Sequence, residues 1–221
     1  MISASAFVSW SGGKDTSLAC YRAMRDMDIT VSHLLNMVTE DGLRGRSHGV
    51  PVGLIREQAG RIGVPIVQQK TTWQTYEAEF IKAASALKAE GITVGVFGDI
   101  DLQEHRDWVE RVCSLCGIKP VFPLWQRDRK DILRDFIDSG FESLVVTTRA
   151  DVLNELWIGR VIDETFIRDI TKISGVDACG EGGEYHTFVT AAPFFSRKIR
   201  IGAFEKIRKG DHWFMEVKEY A

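Results

Sequence analysis

No apolar stretch in this 221-residue chain approaches the ~20 residues that a membrane-spanning helix needs. No basic segment precedes the short apolar run near its start, so a secretory leader is not expected and the cytoplasm is the expected compartment. Only four cysteines occur, and in a chain of this size they do not make the disulfide framework of a small secreted domain. Neither sign of charge dominates. The 28 Lys and Arg against 31 Asp and Glu leave a net charge of −3, which gives no overall pull toward nucleic acid or a membrane surface. There is no internal repeat and no low-complexity tract. What remains is an ordinary globular composition, long enough for one large α/β domain, or for one domain and a modest appendage, around a genuine core.

Two local features break this evenness. Arg197, Lys198, Arg200, Lys206, Arg208 and Lys209 form a basic run, read here as the wet face of a terminal hairpin. Cys113 and Cys116 form a CxxC. However, Trp108, Val109, Val112, Cys113 and Cys116 fall on one helical stripe, and Cys20 and Cys179 supply no second CxxC. Core filling is therefore expected of these cysteines, not zinc or redox chemistry.

Strand-like and helix-like segments alternate. Strands are expected at 5–10, 30–38, 64–68, 92–98 and 119–122. Helices are expected at 14–27, with Leu18, Tyr21, Met24 and Met27 spaced by three, and then at 53–62, 74–90 and 103–116. Strand and helix in repeated alternation mean a parallel sheet covered on both faces, and the right-handed crossover rule restricts it to doubly wound variants. The second part is less regular. A helix at 128–139, the strand-like "FESLVVTT", a helix at 162–174, a glycine-rich stretch and two strand-like runs joined at "RKGDH" read as a smaller α+β unit. A soft boundary falls near 123, giving 1–123 and 124–221.

The first strand stops abruptly at Ser11-Gly12-Gly13-Lys14-Asp15-Thr16. This looks like a phosphate-binding turn between strand and helix, yet a Walker A loop would need glycines four residues apart, then Lys followed by Ser or Thr. Here an aspartate follows the lysine, where phosphate would be expected.

The stretch resembles the SGGxDS pyrophosphate loop of the N-type ATP pyrophosphatases, the PP-loop superfamily. Within it, the whole chain is similar to the diphthine–ammonia ligase family. "FGDID" at 97–101, "PLW" at 123–125 and "GEGGEYHTFV" at 180–189 stand in that family's order and approximate spacing, over roughly residues 5–195. The resemblance implies an adenine nucleotide alpha hydrolase-like domain, a five-stranded parallel sheet in the order 3-2-1-4-5, with a smaller C-terminal domain that carries substrate-binding residues.

In such a loop Gly12 and Gly13 would turn backbone N–H groups around phosphate oxygens at the positive end of the following helix. Ser11 and Thr16 would add hydroxyls, and Lys14 would neutralise charge. Asp15 makes sense as a Mg2+ ligand, or as the anchor of a water bound to that metal. The loop would then hold the β- and γ-phosphates of ATP while attack occurs at the α-phosphate, giving AMP and pyrophosphate. Adenine would lie near Met37. In the order 3-2-1-4-5 a crevice opens beside the first and fourth strands, which puts Gly98, Asp99 and Asp101 across from the loop. There Gly98 would let the nucleotide come close, and Asp99 or Asp101 would hold metal or an amine-bearing substrate. By resemblance Glu181, Glu184, His186 and Thr187 serve substrate binding or general-base work, with Lys14, Asp15, Glu184 and His186 as the catalytic set. His48, in the 39–53 loop with Arg44 and Arg46, would close over bound ATP.

The implied activity is an ATP-dependent ligase that adenylates a substrate carboxylate for attack by ammonia or an amine. The family's acceptor is diphthine on translation elongation factor 2 in archaea and eukaryotes; a bacterial relative would need another acceptor, such as a small carboxylate. Two other readings stay open: a PP-loop tRNA-modifying adenylase, which the basic run would favour, and a non-catalytic ATP-binding regulatory protein. Oligomeric state is open, with a homodimer as one outcome.

Overall fold

A computed structural model describes residues 4–221. The first half is a parallel sheet with strands β1 (Ala4–Ser9), β2 (Ile29–Val38), β3 (Ile66–Lys70), β4 (Val94–Val96) and β5 (Lys119–Val121). Its order is β3-β2-β1-β4-β5 with every pairing parallel, as the sequence alternation and the resemblance imply. Helices α1 (Lys14–Asp26), α2 (Val52–Ile62), α3 (Tyr76–Ala89) and α4 (Gln103–Cys116) make the crossovers. The third strand lies two residues later than its apolar run suggests, because Pro65 only supplies a carbonyl to Leu34 before pairing starts.

On α1 the buried face is Ser17, Leu18, Ala19, Cys20 and Ala23, while Met27 is 44% exposed. The expected three-residue spacing therefore catches only one edge of the true interface. Small residues let the helix axis approach the sheet closely, and the larger Tyr21 and Met24 pack at its margin.

The second half begins with α5 (Arg129–Asp138), capped by Asp128, whose carboxylate accepts the Lys130 and Asp131 N–H groups. An antiparallel sheet follows in the order β7-β6-β9-β8, built from β6 (Glu142–Arg149), β7 (Tyr185–Ala191), β8 (Phe204–Lys209) and β9 (His212–Val217). The two-residue turn Gly210-Asp211 joins β8 to β9, as "RKGDH" suggests. Helix α6, Glu164–Ile170, is shorter than its apolar pattern: Asp163 caps its start at Phe166 N–H, and the helix ends at a C-cap on Thr171.

One hydrophobic cluster runs through both halves, joining Leu18, Leu54 and Ile55 to Phe136, Val145, Phe166, Phe188 and Val189. A second cluster on the opposite face of the parallel sheet takes Phe7, Phe80 and Phe97 together with Cys113 and Cys116. Both of these thiols are free and buried, and burial pushes Cys113 up to about 12. Among the described residues no group of His, Cys, Asp and Glu has a metal-holding arrangement, and no helix is long and apolar enough to cross a membrane.

Candidate functional site

The chain crosses from β1 into α1 through a turn that only glycine tolerates. Gly12 has φ +83°, and a Cβ there would lie 2.6 Å from Ile55 and 2.7 Å from Gln58. Gln58 fills the space behind it. Its Nε2 donates to the Gly12 carbonyl at 3.0 Å and to the Val189 carbonyl at 2.7 Å, while its Oε1 accepts the Trp10 indole N–H at 2.9 Å. The Val189 N–H returns a bond to the Gly12 carbonyl at 2.9 Å. Strand β7 is thereby fixed against the loop, which brings "GEGGEYHT" over the start of α1.

The outcome is a crevice of about 390 Å³ at the carboxyl ends of β1 and β4. Ser11, Lys14, Asp15, Thr16, Gly98 and Asp99 line one side of it. Glu181, His186 and Thr187 line the other, with His48 beside them. Residues more than 160 positions apart in the chain share one cavity. Met37 lies in an adjoining recess of about 60 Å³ with Asn36 and Tyr76, reached past Ser9, Ser11 and His48.

Lys14 is buried, and its ammonium is committed. It donates to Asp15 Oδ2 at 2.8 Å and to the Cys179 carbonyl, and lies 5.3 Å above the Tyr185 ring. Burial works against its charge, but Asp15 and Tyr185 outweigh burial and raise its pKa. Tyr185 is held in turn by its hydroxyl, which donates to the Ala178 carbonyl at 2.6 Å. Asp15 is 24% exposed, and its Oδ1 is buried without a hydrogen-bond partner. Burial pushes its carboxyl upward, with Lys14 pulling the other way. The Thr16 hydroxyl is spent on the Ser9 carbonyl at 2.6 Å, so it closes the turn.

Across the crevice, Glu181 is raised to about 7, by burial first and by Asp15 next. Its backbone N–H and that of Cys179 both bond the Asp177 carboxylate, at 2.7 and 3.2 Å. His186 falls to about 4 through burial and the nearby Lys14 charge. It stacks on His48 with ring centroids 4.5 Å apart. His48 is likewise held well below the usual imidazole range by burial and by His186, and its Nδ1 lies 3.1 Å from the Thr187 carbonyl. The loop carrying His48 is pinned: Arg44 grips Glu216 at 2.7 and 2.8 Å, and Thr147 donates to the His48 carbonyl at 2.9 Å. Asp99 pairs with His105 at 3.5 Å, raising that imidazole.

Four sequence expectations are corrected here. Gly98 does not make room for a nucleotide: a Cβ on it would sit 2.8 Å from Thr16 N and 2.9 Å from Asp15 C, so what comes close is the backbone of α1 itself. Asp101 does not line the crevice. It forms a two-bond pair with Arg129 at 2.7 and 2.9 Å and faces a separate hollow beside α5. Glu184 is buried and folded under Gly182, where Oε1 accepts the Asp177 N–H at 3.0 Å, and it too is absent from the crevice lining. Thr187 lines the crevice, but its Oγ1 accepts the Lys14 N–H at 3.0 Å and so caps α1 from another strand. Ser11, Lys14, Asp15, Thr16, His48, Asp99, Glu181 and His186 meet in the one crevice and Met37 lies in its adjoining recess, whereas Gly12 and Gly13 shape the turn and line neither. Sequence reasoning overlooked Gln58, Arg129 and Asp177. A lone glutamine on the apolar face of α2, between Leu54, Ile55 and Ala59, is a signal that could have found the first.

Comparison with known proteins fits this geometry. The profile of the diphthamide synthase N-terminal domain matches residues 4–120, and that of the C-terminal domain matches 128–221. Diphthine–ammonia ligase of Homo sapiens is 36% identical over 123 residues, 54% of this chain and 45% of that protein. The Bos taurus protein of that name is 35% identical over 133 residues, 59% and 49% of the two chains. That of Schizosaccharomyces pombe is 32% identical over 118 residues, 52% and 20% of the two chains. This chain spans about half the length of the vertebrate relatives it matches. A solved structure described as a predicted subunit of tRNA methyltransferase from Methanocaldococcus jannaschii aligns over 86% of this chain and 97% of its own, at 15% identity and a TM-score of 0.48.

Proposed function

Since the chain belongs to the diphthamide synthase family, we propose that it is an ATP-dependent, amide-forming ligase acting on diphthine carried by a protein acceptor. The observation that carries the proposal is the shared crevice: a phosphate-type loop on one side and a proton-accepting carboxylate with two neutral imidazoles on the other.

The N-terminal end of α1, through its helix dipole, holds the β- and γ-phosphates, with adenine toward Met37. A carboxylate oxygen of the acceptor attacks the α-phosphorus. The new P–O bond forms as the bond to pyrophosphate breaks, and pyrophosphate leaves with the electron pair. Ammonia nitrogen then attacks the acyl carbon, and AMP leaves with the electrons of the acyl–oxygen bond. Glu181 takes the proton lost by nitrogen. A carboxylate near 7 suits that task at neutral pH, because it is ionised often enough to accept and basic enough to hold. His48 and His186 stay uncharged and keep the wall of the site neutral and close to the reacting atoms.

The residues present fit a magnesium ion. Asp15 Oδ1 is a buried carboxylate oxygen with no protein partner beside the phosphate loop, and Mg2+ is usually held by one or two carboxylates, phosphate oxygens and water. When bound by Asp15 it would stabilise charge on departing pyrophosphate.

The test is product analysis with ATP, magnesium, ammonium and a diphthine-bearing protein. AMP and pyrophosphate should form only when the acceptor is present, with the acceptor carboxylate converted to an amide by mass. ADP as product, or AMP formation indifferent to the acceptor, would overturn the reading.

A further inference from the structure

Behind the loop of residues 39–51 lies a second hollow, of about 500 Å³, distinct from the phosphate crevice. His186 lines both cavities. The wall between them at this point is therefore an imidazole, backed by the stacked ring of His48.

The lining of this hollow is cationic and contains no acid. Arg44 is neutralised by its two-bond pair with Glu216. Arg46 is different: its Nε is buried without a hydrogen-bond partner, and its guanidinium lies over the Trp73 indole, 4.6 Å from the ring centroid. Trp73 is itself 65% exposed. Lys209 and His212, the paired ends of β8 and β9, face the same space. A donor buried without a partner is unfavourable, and charge-assisted bonds to an anion are the strong way to satisfy one. The volume falls within the ~300–1,000 Å³ of small-ligand pockets. It suits one side chain better than a nucleic-acid backbone, which would require an extended basic track.

We propose that this hollow is the acceptor port: a carboxylate-bearing side chain, presented by a folded protein, enters between Trp73 and Lys209 and meets the nucleotide past His186. The inference rests on the ligase reading above and adds to it the route and the groups that hold the acceptor. Arg46, stacked on Trp73, and Lys209 select for negative charge. The two substrates thus meet at His186, and also at Arg46, which lines both this hollow and the recess beside Met37.

The test uses the full chain with ATP and a diphthine-bearing protein. Lys209→Glu and Trp73→Ala alter exposed side chains, so folding survives; the first removes one charge-assisted contact and the second unseats Arg46 from its stack, and each should raise the acceptor KM about tenfold. The value of kcat and the calorimetric Kd for ATP should stay within twofold of wild type. Acceptor affinity measured with a non-hydrolysable ATP analogue should weaken in parallel. Lys119→Glu, the same charge change on the edge strand β5, should move none of these. If wild type turns over and both port variants keep the wild-type acceptor KM, the port is wrong and the ligase reading stands. Tenfold weaker ATP binding in Lys209→Glu would assign the hollow to the nucleotide. Loss of salt-dependent tRNA binding with an unmoved acceptor KM would assign it to RNA. If wild type forms no AMP with this acceptor, the ligase reading fails and takes the port with it.

Discussion

Thr187 caps the helix that follows the Gly12-Gly13 turn: its hydroxyl oxygen accepts the Lys14 backbone N–H at 3.0 Å, across 173 residues of sequence. Helix α1 begins after Gly13, which has no side chain to cap it. The cap comes instead from β7, beside the Val189–Gly12 backbone bond and the Gln58 bridge. The loop at 11–16 and the stretch at 180–189 are one hydrogen-bonded unit.

Thr187→Val keeps the shape and removes the acceptor oxygen, so it should destabilise the fold by about 1 kcal/mol, the usual worth of an N-cap. In a chain of this length that is a fall of about 2–4 °C in unfolding midpoint. Thr187→Ser should recover most of it. A thermal melt of the valine variant that overlays wild type would show that the bond contributes nothing.

Glu184 supports the turn that carries Glu181 and does not face the crevice, so its substitutions should be felt in stability before rate. Glu184→Gln retains an oxygen for the Asp177 N–H and should leave acceptor-dependent pyrophosphate release within about threefold of wild type. Glu184→Ala removes the acceptor of that partly buried N–H and should cost about 1 kcal/mol in urea unfolding. A glutamine variant that folds normally yet has lost turnover would return Glu184 to the chemistry.

These cases mark what was legible in the sequence. The parallel sheet follows from the alternating segments, its strand order from the family resemblance, and the turn at Gly12, with φ +83°, from a position that only glycine suits. That the 11–16 loop and the 180–189 motif meet in one crevice is an expectation of the family resemblance. Distant pairing was hidden. Asp101 and Glu184 look like candidate acids in one dimension, and only the fold reveals that Arg129 and the Asp177 N–H have taken them. Gly98 looks like a nucleotide contact until the approach of Thr16 is seen. Sequence spacing identifies residue types fit for chemistry. It does not reveal which of their bonds are already spent on tertiary contacts.

The stacked imidazoles set an acid limit. His186 is held at about 4 and His48 well below the ordinary value, whereas an unfolded chain protonates histidine near ~6.5. Between about 6.5 and 4 the unfolded state binds more protons, so stability present above that window is lost as pH falls through it. Glu181, raised to about 7, has the opposite sign and gives up stability as pH rises toward 7. The difference between proteins isolates the imidazole: urea unfolding at pH 7 and pH 5 should show a smaller acid-induced loss in His186→Gln than in wild type. Equal losses would mean that His186 titrates alike in both states.

Asp15 carries the sharpest prediction, because its two oxygens do different things. Oδ2 is bonded to Lys14 at 2.8 Å, whereas Oδ1 is buried with no protein partner. Asp15→Asn can keep a carbonyl oxygen on the Lys14 ammonium, so the fold and ATP affinity should survive. What it cannot keep is a second anionic oxygen for magnesium; an amide there presents N–H donors to a cation. Loss of one electrostatic contact made in the transition state typically costs ~10²–10³ in turnover, and that fall is expected in pyrophosphate release at saturating ATP. Raising magnesium should not restore it, since the deficit is a missing ligand and not weak occupancy of an intact site. Lys14 also loses its counter-charge, which lowers the unfolding midpoint, but that change should be the same with and without magnesium. Turnover within a few-fold of wild type would free Asp15 from the metal and leave it only as the partner of Lys14.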